Sequence, residues 1–299
     1  MRILISGKNS QIGKELQLLN HKNKYDLIFL DSKEMNLLNF NQIEAQIFEL
    51  NPDLIINLSA FTNVEKAEIE KNNAFKVNAE APALIASLAS EVNAKMIHIS
   101  SDYVFGENDS PPFGINSSTG PVNYYGETKL EGEFGVTRNN RNSIIIRTSS
   151  VFSAFNNNFV KSIYCKLINN DHIKVVNDQN INLTYAKDLA LLIIDLINLI
   201  SGKVILKDNE PMILHYSNLG YTSWFEVANY IKEAKIMSKK DLVSIEPIKS
   251  EEWKSMAKRS KDTRLEIDYG LLNSLDIKLQ DWKSGVLEVL ETLAHNEKR

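Results

Sequence analysis

"RILISGKNSQIGKELQLL", residues 2–19, decides the fold. A short, unbroken apolar run (2–6) ends in serine and glycine, and residues 11–19 then carry apolar side chains at helical spacing. Between them, "SGKNSQIG" sets Gly7 and Gly13 six residues apart, with Ser10 midway. A tight turn between the first strand and the first helix, with backbone free to approach an anion, is what a dinucleotide pyrophosphate needs at a helix N-terminus. Two glycines alone would suit any flexible turn. Their place in the first strand–helix connection gives them meaning. Ser10 stands where a third glycine is usual, and its hydroxyl can donate to a phosphate.

The same rhythm continues outward. Strand-like runs at 25–31, 52–60, 94–101 and 143–152 alternate with helical stretches at 41–50, 72–92 and 125–136. Continuous Ile/Leu/Val runs, in place of strict alternation, point to strands buried on both faces, hence to a parallel sheet. The expected fold class is α/β: a Rossmann-like, doubly wound parallel sheet, with a smaller mixed C-terminal substrate-binding region. Residues 1–150 form the dinucleotide-binding part, with segment 181–200 packing against it. Residues 151–180 and 201–299 form the substrate region, with short strands at 172–179 and 203–217. A helix at 223–234 opens on Ser223 with Glu226 three residues on, a capping-box pattern.

Composition narrows the function classes. In 299 residues, 43% are hydrophobic and 24% charged, the balance of an ordinary globular protein. A net charge of −4, with Lys and Arg scattered, provides no basic field for nucleic acid or an anionic membrane. The longest apolar run, "LALLIIDLINLI" from Leu189, is too short for a bilayer and is broken by Asp195 and Asn198, so it reads as a buried helix. "MRILIS" enters a strand without the charged-then-apolar pattern of a secretory signal, and the single Cys165 fits a reducing compartment; a soluble cytoplasmic protein is expected. His21, His98, His172, His215 and His295 show no ligand spacing, so no metal is assigned.

The candidate chemistry lies in "HISSDYVFGE", which ends the fourth strand, and in "NYYGETKLEGE", which opens the following helix. Tyr125 and Lys129 are four apart and share a helix face, whereas Tyr124 points about 100° away and is assigned to packing or substrate contact. Tyrosine is a poor acid with a pKa near 10, and an ammonium beside it favours phenolate, so Lys129 is expected to lower the Tyr125 value. Ser101, at the C-terminal edge of its strand, can share a carbonyl oxygen with Tyr125. Tyr-x-x-x-Lys occurs by chance on many helices; here it follows a Ser-Ser strand end and a glycine turn in the right order. Asp31 closes the second strand, where an acid favours NAD, while Lys8 and Lys33 nearby suit a 2′-phosphate. The cofactor is therefore NADPH or NADH, with a lean to NADPH.

These stretches, with "PDLIINLSAFTNVEKAE", "NAEAPALIA", "VVNDQNINLTYAKDLA", "HYSNLGYTSWFEVA" and "MAKRSKDTRLE", resemble the extended short-chain reductases that convert dTDP-4-dehydrorhamnose to dTDP-L-rhamnose. The resemblance spans nearly the whole chain. It implies Ser101, Tyr125 and Lys129 as the catalytic set, with the last two also contacting the cofactor. Gly7, Ser10, Gln11, Ile12, Gly13, Asp31, Asn36, Leu37, Ser59, Ala60, Phe61 and Asn78 would line the dinucleotide. Asp102, Val104, Phe105, Asn158, Gln179 and Arg259 would surround a nucleotide-sugar substrate carrying dTDP, with Arg259 also suited by its planar fork to clamp a diphosphate.

Departures fall beside the expected sugar pocket. Ser150 stands where the family has Trp, Ile181 and Leu183 replace Gly and Pro of a turn, and Phe61 replaces a common Tyr. An epimerase or dehydratase of the same fold is the nearest alternative, although dehydration needs a Glu after Asp102 and the sequence has Tyr103. A non-catalytic relative, similar to the regulatory subunit of methionine adenosyltransferase, is the third reading. The sequence leaves open the sugar, the base and a homodimer.

Overall fold

The structure, a computed structural model, describes residues 1–20, 24–169, 172–202, 210–234, 244–274 and 276–297. The first part of the chain runs β1 (Arg2–Ser6), α1 (Gln11–Leu19), β2 (Asp26–Leu30), α2 (Phe40–Leu50), β3 (Leu54–Asn57), α3 (Val64–Ile69), α4 (Lys71–Phe75), α5 (Ala81–Glu91), β4 (Lys95–Ser101), α6 (Tyr124–Asn139) and β5 (Ser143–Thr148). Then come β6 (Val151–Phe152), α7 (Phe159–Ile168), β7 (Ile173–Val176), β8 (Asn180–Asn182), β9 (Thr184–Tyr185), α8 (Ala186–Ser201), β10 (Met212–Tyr216), β11 (Tyr221–Ser223), α9 (Trp224–Glu233), β12 (Ile245–Ile248), α10 (Tyr269–Ser274) and α11 (Trp282–Glu297).

The central sheet has the order β10-β5-β4-β3-β1-β2, and every pairing is parallel. The chain leaves β1 toward β2, then crosses back to β3 on the other side. The strand order thus reverses at β1, and a crevice opens beyond the C-terminal ends of the strands there. Burial on both faces explains the unbroken apolar runs. Ile3, Ile5, Ile56 and Ile97 point into one core with α1 and α8, while Leu4, Ile55 and Met96 point into another with α2 and α5. Helix α8 carries the long apolar run and packs along α1, as its pattern predicts.

The sheet takes its sixth strand, β10, from the 203–217 stretch that the sequence reading placed outside the dinucleotide part; residues 203–209 lie outside the described residues. The expected 72–92 helix is made of α4, a π-helical turn (Lys76–Glu80) and α5. Helix α3 is an addition, capped by Asn63 Oδ1 accepting the Lys66 N–H at 2.9 Å. A third core gathers α7, α9 and α11 around Phe152, Val175, Leu183 and Tyr185. Among the described residues, three two-stranded pairs, β11–β8, β12–β7 and β6–β9, complete this region, and the Ser223–Glu226 capping box opens α9.

Candidate active site

The two parts face each other across a cleft of about 730 Å³ at the C-terminal ends of β1, β3, β4 and β5. The glycine turn forms one end. Gly7 sits at φ +82, where only glycine is unstrained, and a Cβ on Gly13 would stand 2.3 Å from the Gly7 carbonyl oxygen. Ser10 is the N-cap of α1: its Oγ accepts the Gly13 N–H at 3.0 Å, and its hydroxyl hydrogen stays available for an incoming oxygen. This serves the helix better than a third glycine. The bare backbone and open N-terminus of α1 fit the phosphates of a dinucleotide.

Gln11, Ile12, Asp31, Asn36, Leu37, Ser59 and Ala60 lie on the cleft wall. Asp31 Oδ1 accepts the N–H groups of Lys33 and Glu34, which holds its carboxyl below the usual range. Lys8 pairs with Glu34 at 3.8 Å. Phe61 and Asn78 stand behind the wall. Asn78, on the π-helical turn, accepts the Phe61 N–H at 2.8 Å and donates to the Phe61 carbonyl and to Thr128 Oγ1, so it braces the 59–62 loop from within.

At the centre, Ser101, Tyr125 and Lys129 converge from the end of β4 and the first turns of α6. Asn123 caps α6 through its Oδ1, which accepts the Gly126 N–H at 2.9 Å and fixes the entry of the helix. Tyr125, Lys129 and Glu133 stack at successive four-residue steps. The Glu133 carboxylate is bound in a fork by buried Arg147 of β5, at 2.7 Å to Nη2 and 2.9 Å to Nε. Tyr124 turns out of the cleft, as expected: its N–H donates to Glu68 and its ring lies 4.8 Å under the Lys71 ammonium.

The electrostatics correct one expectation. Tyr125 is raised above the usual tyrosine value, first by burial, with Asp102 and Tyr103 adding to it and the Ser101 hydrogen bond opposing. Lys129 is not among the groups acting on it. Its Nζ donates to the Ile99 carbonyl at 2.7 Å, and its own pKa lies below that of the phenol, so the lysine has lost its charge before the phenol would ionise. Burial pushes Lys129 itself down to about 8, against support from Glu133. Ser101 Oγ donates to Asp102 Oδ1 at 3.0 Å, and Ser149 donates to Asp102 Oδ2 at 2.7 Å. Asp102 is buried and raised for that reason, its serine partners pulling it back.

Of the residues expected around a substrate, Asp102, Asn158 and Arg259 reach the cleft wall. The Asn158 amide caps α7 and donates to Gln11 Oε1 at 3.0 Å, tying the substrate side to the glycine turn. Val104, Phe105 and Gln179 lie behind the wall. Val104 is fully buried, Phe105 stacks on Phe113 at 4.6 Å and under the Arg147 guanidinium, and Gln179 donates to Ser250. Tyr103, Ser150, Leu183 and Trp224 line the cleft as well, and only Ser150 and Leu183 were marked by a departure in sequence. Among the described residues, no group of three or more His, Cys, Asp or Glu side chains could hold a metal, and no helix is long and apolar enough to cross a membrane.

A doubly wound parallel sheet whose glycine turn and Ser-Tyr-Lys set open on one cleft defines an oxidoreductase of the extended short-chain type. Residues 1–295 match the model of the RmlD substrate binding domain family. The chain is 31% identical over 295 residues to dTDP-4-dehydrorhamnose reductase of Sinorhizobium fredii, covering 98% of each. It is also similar to solved dTDP-4-dehydrorhamnose reductases from Clostridium acetobutylicum, with TM-score 0.87, 31% identity and coverage of 98% and 99%. The Bacillus anthracis enzyme in complex with NADP matches equally, with TM-score 0.87, 31% identity and coverage of 97% and 99%. The chain belongs to the dTDP-4-dehydrorhamnose reductase family.

Proposed function

We propose that the chain is an NAD(P)H-dependent reductase that converts the C4 keto group of dTDP-4-dehydrorhamnose to the hydroxyl of dTDP-L-rhamnose. The observation that carries this reading is the meeting of Ser101, Tyr125 and Lys129 in the cleft that the glycine turn closes at its far end. A dinucleotide would be held along Gly7, Ser10–Gly13, Asp31 and Ser59–Ala60, and its chemistry when bound would be hydride donation.

Tyr125 supplies the proton. Burial keeps the phenol protonated at neutral pH, so it holds the proton that the alkoxide formed by hydride addition takes up. Ser101 borders the same cleft beside the phenol, its hydroxyl held by Asp102. Lys129, anchored on Ile99, places a buried positive charge beside the site, where the low dielectric magnifies its effect on a developing oxyanion. Arg259, one-third exposed at the cleft, offers its fork to the diphosphate. Ser150 and Leu183 on the wall, and Trp224 opposite, shape the sugar pocket.

The test is NADPH and NADH oxidation with dTDP-4-dehydrorhamnose and with other nucleotide-linked 4-keto sugars, with the products identified. Stoichiometric oxidation with dTDP-L-rhamnose as product is expected. Sugar conversion without net cofactor consumption, or no turnover of any such sugar, would refute the proposal.

A further inference from the structure

Glu65, in the first turn of α3, is given no role above, yet it joins the two sides of the cleft. Its Oε1 accepts from Ser255 Oγ at 2.5 Å and from Arg259 Nη2 at 3.2 Å, and its Oε2 accepts the N–H groups of Met256 at 2.8 Å and Ala257 at 3.4 Å. One carboxylate thus gathers four donors from a segment about 190 residues away in the chain. These bonds hold its carboxyl below the usual glutamate value despite partial burial. The neighbouring Thr62 and Val64 line the cofactor side of the cleft, and Arg259 lines the substrate side.

The pair is partly solvated, with side-chain exposures of 39% for Glu65 and 30% for Arg259. Such pairs add little to stability, so this concentration of donors calls for another account. Arg259 holds one. Its Nη2 is spent on Glu65 and its guanidinium meets the Tyr103 phenol, while its buried Nε has no partner. A planar guanidinium fixed at Nη2 and lining the cleft has the rest of its fork set to receive an oxygen anion there.

We propose that Glu65 is a positioning residue for nucleotide-sugar binding: it fixes the 255–259 segment, and through it the Arg259 guanidinium, in the pose that takes the substrate diphosphate. This rests on the reading of Arg259 as the diphosphate clamp. Without the carboxylate the segment keeps Asn123 Nδ2 to the Lys258 carbonyl and the exposed Lys258–Glu107 pair, so it stays attached but loses its set on Arg259.

The experiment compares Glu65→Gln, Glu65→Asp, Arg259→Ala and the Glu65→Gln/Arg259→Ala double variant in the full-length protein. It reads the Kd of dTDP by calorimetry with NADP present, KM and kcat for dTDP-4-dehydrorhamnose, and the Kd of NADPH. Loss of one charge-assisted hydrogen bond predicts that Glu65→Gln raises Kd for dTDP and KM about tenfold. It should leave kcat within about threefold and NADPH binding unchanged, with Glu65→Asp intermediate. In the Arg259→Ala background the same change should add less than about twofold, because residues acting as one unit do not add. Unchanged or tighter dTDP binding in Glu65→Gln, or an equal factor in both backgrounds, overturns the positioning role while the clamp stands. Arg259→Ala with unaltered dTDP affinity overturns the clamp itself, and the role of Glu65 with it.

Discussion

Lys129→Met separates what the site costs from what it does. Lys129 is 1% exposed and its pKa lies at about 8, against the usual 10.5. At about 1.4 kcal/mol per tenfold, charging this lysine inside the fold at neutral pH costs about 3 kcal/mol. Methionine has similar length and needs no charge. Glu133 keeps its fork with Arg147, so the substitution strands no buried anion. The Ile99 carbonyl loses one donor, which costs about 1 kcal/mol, leaving a net gain of about 2 kcal/mol. With about 2 cal/mol/K of unfolding entropy per residue over 299 residues, Tm at pH 7 should rise by about 3 °C. The gain depends on pH in a checkable way. Between about 8 and 10.5 the unfolded lysine still holds a proton that the folded one has lost, so wild-type stability rises with pH across that window. The variant should lack this rise, and the Tm gap should narrow toward pH 10. Calorimetric scans at pH 7, 8.5 and 10, paired with a turnover assay, read both sides. A variant less stable than wild type at pH 7, or one that keeps full turnover, would refute the reasoning.

Glu15, on the buried side of α1, is raised to about 7 by burial, with Glu288 and Asp188 adding to it against Lys187. The folded state therefore holds a proton that the unfolded state has lost between about 4.5 and 7, and stability falls as pH rises through that window. Glu15→Gln should remove this fall and raise Tm at pH 8 relative to pH 5, read by scanning calorimetry. Gly13→Ala drives a Cβ into the Gly7 carbonyl, which is backbone and cannot step aside, so NADPH binding measured by fluorescence titration should weaken at least 10²-fold. Tyr124→Phe, out of the cleft, should keep most of its activity in the NADPH-oxidation assay.

What the sequence makes legible follows the range of the interactions. Strands β1, β3, β4 and β5 read correctly because both faces of each are buried, which forces unbroken Ile/Leu/Val runs such as Ile144–Ile146, while β2, at the sheet edge, is only partly buried. The Tyr125–Lys129 pairing is equally readable, since four residues on a helix fix a common face. Membership of β10 in the central sheet is not local: Met212–Tyr216 looks like any short strand, and its place depends on the α8 crossover. Helix α3 has no apolar periodicity to betray it. Its residue Glu65 acquires meaning only where residues 255–259 return to it. Spacing also places Lys129 near the phenol without revealing that its ammonium is spent on Ile99. Phe105 and Val104 adjoin the catalytic serine in sequence, but the turn after β4 sends them into the core.

The most direct test of the catalytic assignment is Tyr125→Phe, which removes one hydroxyl from a buried ring and leaves the glycine turn untouched. The measurement is single-turnover NADPH oxidation with saturating dTDP-4-dehydrorhamnose, beside the Kd of NADPH. A rate lower by at least 10²-fold with NADPH affinity preserved is predicted, the scale of a lost general acid. A Tyr125→Phe protein that oxidises NADPH at the wild-type rate would contradict the assignment of Tyr125 as the proton donor.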